Sequence, residues 1–189
     1  MAVVVAGLDL AASSRRCSGY SVIKVKDNRS FLTKVKCLGT DESIINEVVE
    51  DKVYVIAIDA PLVKEPKMRV VDKLMIKQGL RVFPPNFSWM RKLSERGWLI
   101  AEKLRSLGIE VIETHPRSAM AVSGTRSLEE LLDLLGIKVS VSSFSSRILH
   151  RDLRDSVVAA VVAYCYIKRC YDVVKASDGS IYILKKFRS

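Results

Sequence analysis

Hydrophobic and polar positions alternate along the first 38 residues in three segments, and this pattern predicts an antiparallel meander of three strands. The segments are residues 3–11, 18–26 and 30–38, and short polar stretches between them favour turns. Residues 40–51 have apolar positions at helical spacing. The apolar run that follows, residues 53–62, is typical of a strand buried on both faces.

The rest of the pattern is mostly helical. Residues 64–107 have helical periodicity with a proline-containing break, residues 109–116 indicate a short strand, and residues 171–184 indicate a hairpin. Helices are predicted at three further places, namely 117–124, 127–136 and 146–170. The order of elements favours an α/β protein in which helices flank a mixed sheet, with the first strand near its middle.

Length and composition fit one domain. The chain has 189 residues, of which 49% are hydrophobic, so we treat residues 1–189 as a single domain with a continuous core. No apolar run approaches the roughly 20 residues of a membrane span, and no secretory signal is present at the start. These features predict a cytoplasmic protein with no membrane partner.

The four cysteines, Cys17, Cys37, Cys165 and Cys170, form no C-x-x-C pair, and neither a zinc site nor a redox motif is indicated. Buried free thiols are therefore expected. The chain has few side-chain amides beside 28% charged residues, a balance typical of thermophile proteins. Intracellular disulfides do occur in hyperthermophiles, so this composition keeps that alternative open.

The net charge is +10, and the excess of Lys and Arg lies in residues 64–105 and 147–189. A basic surface concentrated in this way attracts phosphate backbones or acidic lipid. Simple solubility explains the charge equally well, so charge alone does not decide the function.

Acidic residues follow several of the predicted apolar elements. Asp9, Asp59 and Glu113 lie near the ends of predicted strands, and Asp152 and Asp155 share one face of the last long helix. Because ligands bind beyond the carboxyl ends of parallel strands, we expect these five carboxylates at one edge of the sheet, as catalytic residues. Each acid alone also fits an ordinary role as a cap, a turn former or a solvated helix residue.

Several carboxylates in one place cannot all stay ionised without cations, and oxygen ligands favour Mg²⁺ or Mn²⁺. Two such ions suit displacement at phosphorus. The predicted metal ligands are Asp9, Asp59, Asp152 and Asp155. His115 lies two residues after Glu113 and could contact the substrate or carry a proton, although a histidine held by ordinary hydrogen bonds is the more common case.

Five motifs of the chain together resemble an uncharacterised prokaryotic family of predicted nucleases with the ribonuclease H fold. They are GLDLAAS with SGYSVI, VIAIDAPL, GLRVFPP, IETHP and RDLRDSVVAA, and the resemblance covers residues 5–165. It implies a ribonuclease H-like, five-stranded mixed sheet of order 3-2-1-4-5. It also implies that residues 64–107 are a basic helical insertion between the fourth and fifth strands.

The resemblance places Asp9 and Asp59 on neighbouring strands as metal ligands. Asp152 and Asp155 match the D-x-x-D-A signature of Holliday-junction-resolvase-like members, and Ser156 replaces its alanine, which adds a hydroxyl next to the expected metals. The early-helix glutamate of ribonuclease H has two candidate positions, Glu47 and Glu50.

Basic and aromatic residues are the candidates for nucleic-acid contacts. The predicted contacts are Arg15, Arg16, Arg81, Arg91, Lys92 and His115. Phe83, Phe87 and Trp89 lie among these cations, as on surfaces that bind single strands. Packing of the three rings in the core is an alternative of at least equal weight.

The leading hypothesis is a metal-dependent nuclease that hydrolyses DNA or RNA with Mg²⁺ or Mn²⁺. A nucleic-acid-binding or regulatory module that has kept the fold without turnover is the alternative. ATP-dependent phosphotransfer ranks last, because it needs two lobes of this kind and hence dimerisation across the site. A homodimer remains open.

Overall fold

The computed structural model describes residues 2–83, 88–141 and 150–188. Its strands form one mixed sheet in which β1, β4, β5 and β8 run parallel and β2 runs antiparallel to both of its neighbours. The strands are β1 (Val3–Asp9), β2 (Ser18–Lys26), β3 (Arg29–Leu38), β4 (Val55–Asp59), β5 (Glu110–Thr114), β6 (Ile137–Val139), β7 (Tyr171–Ala176) and β8 (Gly179–Leu184).

The sheet has eight strands in the order β6-β3-β2-β1-β4-β5-β8-β7. The predicted order 3-2-1-4-5 forms its centre, so the expectation of five strands was too small. The predicted hairpin supplies β7 and β8, which extend the sheet beyond β5. The three residues of β6 pair with β3 at the other edge, and no hydrophobic periodicity announces so short a strand.

Helices cover both faces of the sheet. They are α1 (Asp41–Glu50), α2 (Val70–Lys77), α3 (Ser88–Ser106), α4 (Pro116–Ser123), α5 (Leu128–Leu134) and α6 (Arg151–Lys168). The predicted start of the last helix, at 146, lies outside the described residues. Among the helices of the described residues, none combines the length and the apolar character that crossing a bilayer requires.

Alternate residues of the central strands feed two separate hydrophobic clusters. On β1, Val5 belongs to the cluster beneath α6, whereas Val4, Ala6 and Leu8 belong to the cluster beneath α1 and α3. On β4, Ala57 likewise lies on the α6 side. The two-residue period of a strand therefore continues to Asp9 and Asp59 on the α6 side of the sheet.

Two glycines allow α6 to lie directly on β1 and β2. A Cβ atom at Gly7 would come within 2.1 Å of the Ala160 nitrogen and 2.2 Å of the Ser156 carbonyl oxygen. A Cβ atom at Gly19 would come within 2.1 Å of the Asp152 carbonyl oxygen. Only glycine permits this spacing, since real Cβ atoms do not approach backbone so closely.

Ser156 uses its hydroxyl for packing and not at the acidic site. The hydroxyls of Ser156 and Ser21 are 2.6 Å apart, and Ser156 also donates to the Leu153 carbonyl. Both serines are fully buried. The expectation of a hydroxyl beside the metals was therefore wrong, because this side chain points from α6 into β2.

The cysteines form two disulfides, Cys17–Cys37 and Cys165–Cys170. The expectation of free thiols was therefore wrong. The first pair links the start of β2 to the end of β3, and the second closes the turn between α6 and β7. Sequence spacing alone could not show that residues 20 apart would face each other across neighbouring strands.

The segment 64–107 contains α2 and α3, as helices between β4 and β5. Both helices pack into the core, since Val71 and Met75 join one hydrophobic cluster and Ile100 and Leu104 join the other. The segment is thus part of the layered fold and not an appendage. The proline break falls partly at residues 84–87, outside the described residues.

Replacing Gly7 with alanine should separate α6 from the sheet. The added methyl group meets only backbone atoms of α6, which cannot rotate away, so we expect G7A to lower the free energy of unfolding by about 3 kcal/mol or more. Urea unfolding measures this loss. G39A is the matched control, because its added Cβ atom meets a single backbone oxygen at 3.2 Å. Equal stability of the two variants would contradict the close approach of α6.

Candidate active site

The carboxyl ends of β1 and β4 bring two aspartates side by side. Asp9 and Asp59 are register partners on these parallel strands, and both are half-buried. Asp9 is also the register partner of Gly19, over which the backbone of Asp152 lies. Contacts between sheet and helix therefore place the first turn of α6 above the two strand ends.

Burial and repulsion between neighbouring carboxylates raise the pKa values of both Asp9 and Asp59. Burial, followed by the charges of Asp155 and Asp152, raises the pKa of Asp9 to about 7. The pKa of Asp59 is raised well above its ordinary value by burial and then by the charges of Asp9, Asp155 and Glu113. Among the described residues, neither Asp9 nor Asp59 has a hydrogen-bond or ion-pair partner.

The acids of α6 have only one ion pair among the described residues, and it is a weak one. Asp155 lies 3.5 Å from the exposed guanidinium of Arg151, one turn away on the same helix. Burial raises the pKa of Asp155, while Arg151 and Arg154 oppose that rise. The site is thus a cluster of aspartates with a deficit of positive charge.

Glu113 differs from the aspartates in orientation and in partners. Its register partner is Ile58, which belongs to the cluster beneath α1 and α3, so the β5 neighbour of Asp59 is Thr114. The carboxylate forms a bidentate ion pair with Arg69 at 2.8 and 2.6 Å and accepts a hydrogen bond from the Leu62 amide. Burial still raises the pKa of Glu113 above its ordinary value.

A cavity of about 450 Å³ lies over these acids. All five predicted acids line it, as do two of the predicted nucleic-acid contacts, Arg16 and His115. The other predicted contacts are exposed but lie outside the lining, namely Arg15, Arg81, Arg91 and Lys92. Such a volume is within the range of small-ligand sites.

Three arginines of the cavity lining were missed from the sequence. Arg69, Arg117 and Arg151 line the cavity together with Arg16. Arg151 directly precedes the acidic pair of α6, and Arg117 directly follows the strand-ending His115-Pro116, so proximity to predicted site residues was a usable signal for both. Arg69 lies ten residues beyond Asp59 and offers no such signal.

Two aromatic rings stand at the cavity. Phe83 and Trp89 are 53% and 49% exposed, and their ring centroids are 5.4 Å apart in an edge-to-face arrangement. Core packing is therefore wrong for these two residues. Phe87 lies outside the described residues. A pair of exposed rings beside a polar cavity offers a surface on which a flat group can stack.

His115 is a neutral side chain held in one orientation. It caps α4, and its Nδ1 accepts a hydrogen bond from the Ser118 amide, so Nε2 carries the ring proton. Burial and then the charge of Arg117 lower the pKa of His115 to about 4. The ring therefore offers the cavity an uncharged donor at neutral pH.

Neither candidate for an early-helix glutamate reaches the cavity. Glu47 is held by Lys34 and Lys36 at 2.6 Å each, and Glu50 is exposed on α1. Within residues 2–83, 88–141 and 150–188, no three His, Cys, Asp or Glu side chains are grouped closely enough to hold a metal ion. The aspartates share one cavity without forming a closed coordination shell.

No family model matches the chain, and neither does any curated protein sequence. Among solved structures, Thermus thermophilus RuvC in complex with a Holliday junction substrate matches with a TM-score of 0.54 at 11% identity. Another structure of Thermus thermophilus RuvC matches with a TM-score of 0.50 at 16% identity. Each match covers 88% of this chain and 96% of the RuvC chain.

These matches show the fold, which is that of RuvC and therefore ribonuclease H-like. They confirm the fold that the sequence motifs implied. Membership of the family of predicted nucleases stays a prediction, because no family model supports it.

Replacing Asp9 with asparagine should stabilise the protein in the absence of divalent ions. The raised pKa means that folded Asp9 keeps its proton while unfolded Asp9 loses it, so stability falls as pH rises from about 4 to about 7. D9N lacks this loss, and we expect its free energy of unfolding to exceed that of wild type by about 4 kcal/mol at pH 8 and to match it near pH 4.

Thermal unfolding in EDTA across this pH range measures the difference, with D172N, at an exposed edge-strand position, as the control. A D9N variant that is less stable than wild type at pH 8 would contradict the repulsion between the aspartates.

Proposed function

We propose that this protein is a metal-dependent nuclease that hydrolyses phosphodiester bonds in DNA or RNA. The observation that carries the proposal is the pair of half-buried register partners, Asp9 and Asp59, which have no hydrogen-bond or ion-pair partner within the described residues and lie in an arginine-bordered cavity. A protein gains nothing in stability from such a pair, since burial and repulsion both cost free energy. A function that binds cations accounts for it.

The donor set fits Mg²⁺ or Mn²⁺. All the ligands available from the four aspartates are hard carboxylate oxygens. Mg²⁺ keeps several waters and is commonly bound by one or two carboxylates together with substrate phosphates, so a closed shell of three protein ligands is not required. Asp9 and Asp59 would hold the ion, with Asp152 and Asp155 of α6 available beside them, since both line the same cavity. Bound there, it would lower the pKa of the attacking water and offset negative charge on the phosphate.

The remaining groups of the cavity suit a nucleic-acid strand. Arg16, Arg117 and Arg151 provide positive charge around the acidic floor, which attracts a phosphate backbone. Phe83 and Trp89 provide faces on which a base can stack. His115 would donate a hydrogen bond from Nε2 to a phosphate or sugar oxygen without adding charge. Glu113 remains a candidate from its position alone, although its oxygens are already used by Arg69 and Leu62.

Replacing Asp59 with asparagine should abolish cleavage, because it removes the central ligand charge with little change in shape. We expect the rate to fall at least about a hundredfold on any substrate that wild type cleaves with Mg²⁺ or Mn²⁺. The assay should include branched, single-stranded, hybrid and duplex nucleic acids. D172N serves as the matched control outside the cavity. Absence of cleavage by wild type on every substrate with both ions would refute the nuclease proposal.

A nucleic-acid-binding module without turnover is the second candidate. The observation in its favour is that no three acidic or other metal-binding side chains form a closed group within the described residues. It predicts strand binding that depends on salt, with no difference between wild type and D59N in the presence of Mg²⁺.

Both candidates predict that Trp89 contributes to strand binding. We expect W89A to weaken the affinity for a short single-stranded oligonucleotide by about tenfold, through loss of one stacking face. Fluorescence anisotropy at two salt concentrations measures the change. Y54A is the control, since Tyr54 is 61% exposed and lies just before β4, at the end away from Asp59. An equal effect of both variants would refute the stacking role.

A further inference from the structure

The carboxylate of Glu113 is fully used by protein groups. Oε2 accepts hydrogen bonds from the Leu62 amide at 2.9 Å and from Nη1 of Arg69 at 2.8 Å, and Oε1 accepts one from Nη2 of Arg69 at 2.6 Å. Glu113 is 8% exposed and Arg69 is 3% exposed. A cation could recruit these oxygens only by displacing a buried, bidentate arginine.

Arg69 itself cannot readily turn away. Its Nε and Nη2 donate to the two carboxylate oxygens of Asp72 at 3.0 and 2.7 Å, and its backbone amide also donates to Asp72. Asp72 is 2% exposed. Release of the guanidinium would leave two buried carboxylates without a counter-charge, which is strongly unfavourable.

Helix α2, which Arg69 caps, is held in place by the hairpin of β7 and β8. Asp178, in the turn between β7 and β8, accepts hydrogen bonds from the amides of Val70 and Val71 at the start of α2. Strand β8 pairs with β5, which carries Glu113. Four elements thus hold one another around Arg69, namely β5, α2 and the two strands of the hairpin.

The bond to Leu62 connects this network to the acidic site. Leu62 lies three residues after Asp59, in the segment that leaves β4. The segment also packs against α3 at Gly97, where a Cβ atom would come within 2.9 Å of the Ala60 Cβ and 3.3 Å of the Leu62 side chain. Glu113 therefore fastens the chain just beyond Asp59, and its loss would free that segment.

We propose that Glu113 is a positioning residue, which fixes the backbone that follows Asp59, and that Arg69 keeps the Glu113 carboxylate out of the cation site. The cation-binding role of Asp59 rests on the proposed function, whereas the fastening of residues 60–62 does not. The strand register supports this assignment, since Glu113 pairs with Ile58 and not with Asp59. The cation site then consists of aspartates alone.

The first measurement is amide hydrogen exchange at Leu62, which is independent of activity. E113Q keeps one oxygen that can accept from the Leu62 amide, while its NH₂ group faces Nη2 of Arg69, and we expect exchange at Leu62 within about threefold of wild type. E113A removes the acceptor and should speed exchange at Leu62 by about tenfold or more. E113D retains the charge but is one methylene shorter, so it should also speed exchange and serves if E113A does not fold. Unchanged exchange in E113A or, where E113A does not fold, in E113D would overturn the proposal.

The second measurement is Mn²⁺ affinity, by calorimetry or by electron paramagnetic resonance. A positioning role predicts rescue by the conservative variant, so E113Q should bind Mn²⁺ within about threefold of wild type while E113A and D59N each weaken binding by about tenfold or more. A loss in E113Q as large as that in D59N would make Glu113 a ligand and overturn the proposal. If wild type binds no Mn²⁺ while E113A still speeds amide exchange at Leu62, the positioning role of Glu113 is supported and the proposed function is refuted.

Discussion

The close approach of α6 to β1 and β2 is the constraint on which the rest of the structure depends. Gly7 and Gly19 leave room for helix backbone where any side chain would collide with it. Because Gly19 is the register partner of Asp9, the contact that packs the helix also sets the position of its first turn over the strand ends. Core packing and assembly of the acidic site are consequently a single event in this fold.

The acids that line the cavity differ in their partners. Glu113 and Asp72 share a buried arginine and have their oxygens bonded, whereas Asp9 and Asp59 have no partner among the described residues. Arg69 neutralises Glu113 and Asp72, whereas the carboxylates of Asp9 and Asp59, which line the same cavity, repel each other. That contrast is hard to explain by stability, since an arginine is equally suited to both places. The contrast is consistent with the proposal that a bound cation neutralises Asp9 and Asp59.

The strand-end positions of Asp9 and Asp59 were predictable because β1 and β4 are apolar runs whose ends are marked by the acids themselves. The central order of five strands was predictable through the family resemblance. The added strands were not, since β6 has three residues and the pairing of β8 with β5 is a tertiary contact. The orientation of Glu113 depends on a one-residue difference in register, which the sequence around it does not encode.

In the proposed nuclease, the distribution of charge would couple the binding of cations to the binding of a nucleic-acid strand. In such a nuclease, a net charge of +10 would draw nucleic acid toward the protein, and the arginines around the cavity would direct the phosphate backbone toward it. The floor of the cavity, however, is a group of aspartates that repels phosphate at the distance where reaction would occur. A phosphate can settle on that floor only after cations have offset the carboxylates, or together with them. Occupation of the acidic floor by divalent ions and seating of the strand should therefore be mutually reinforcing.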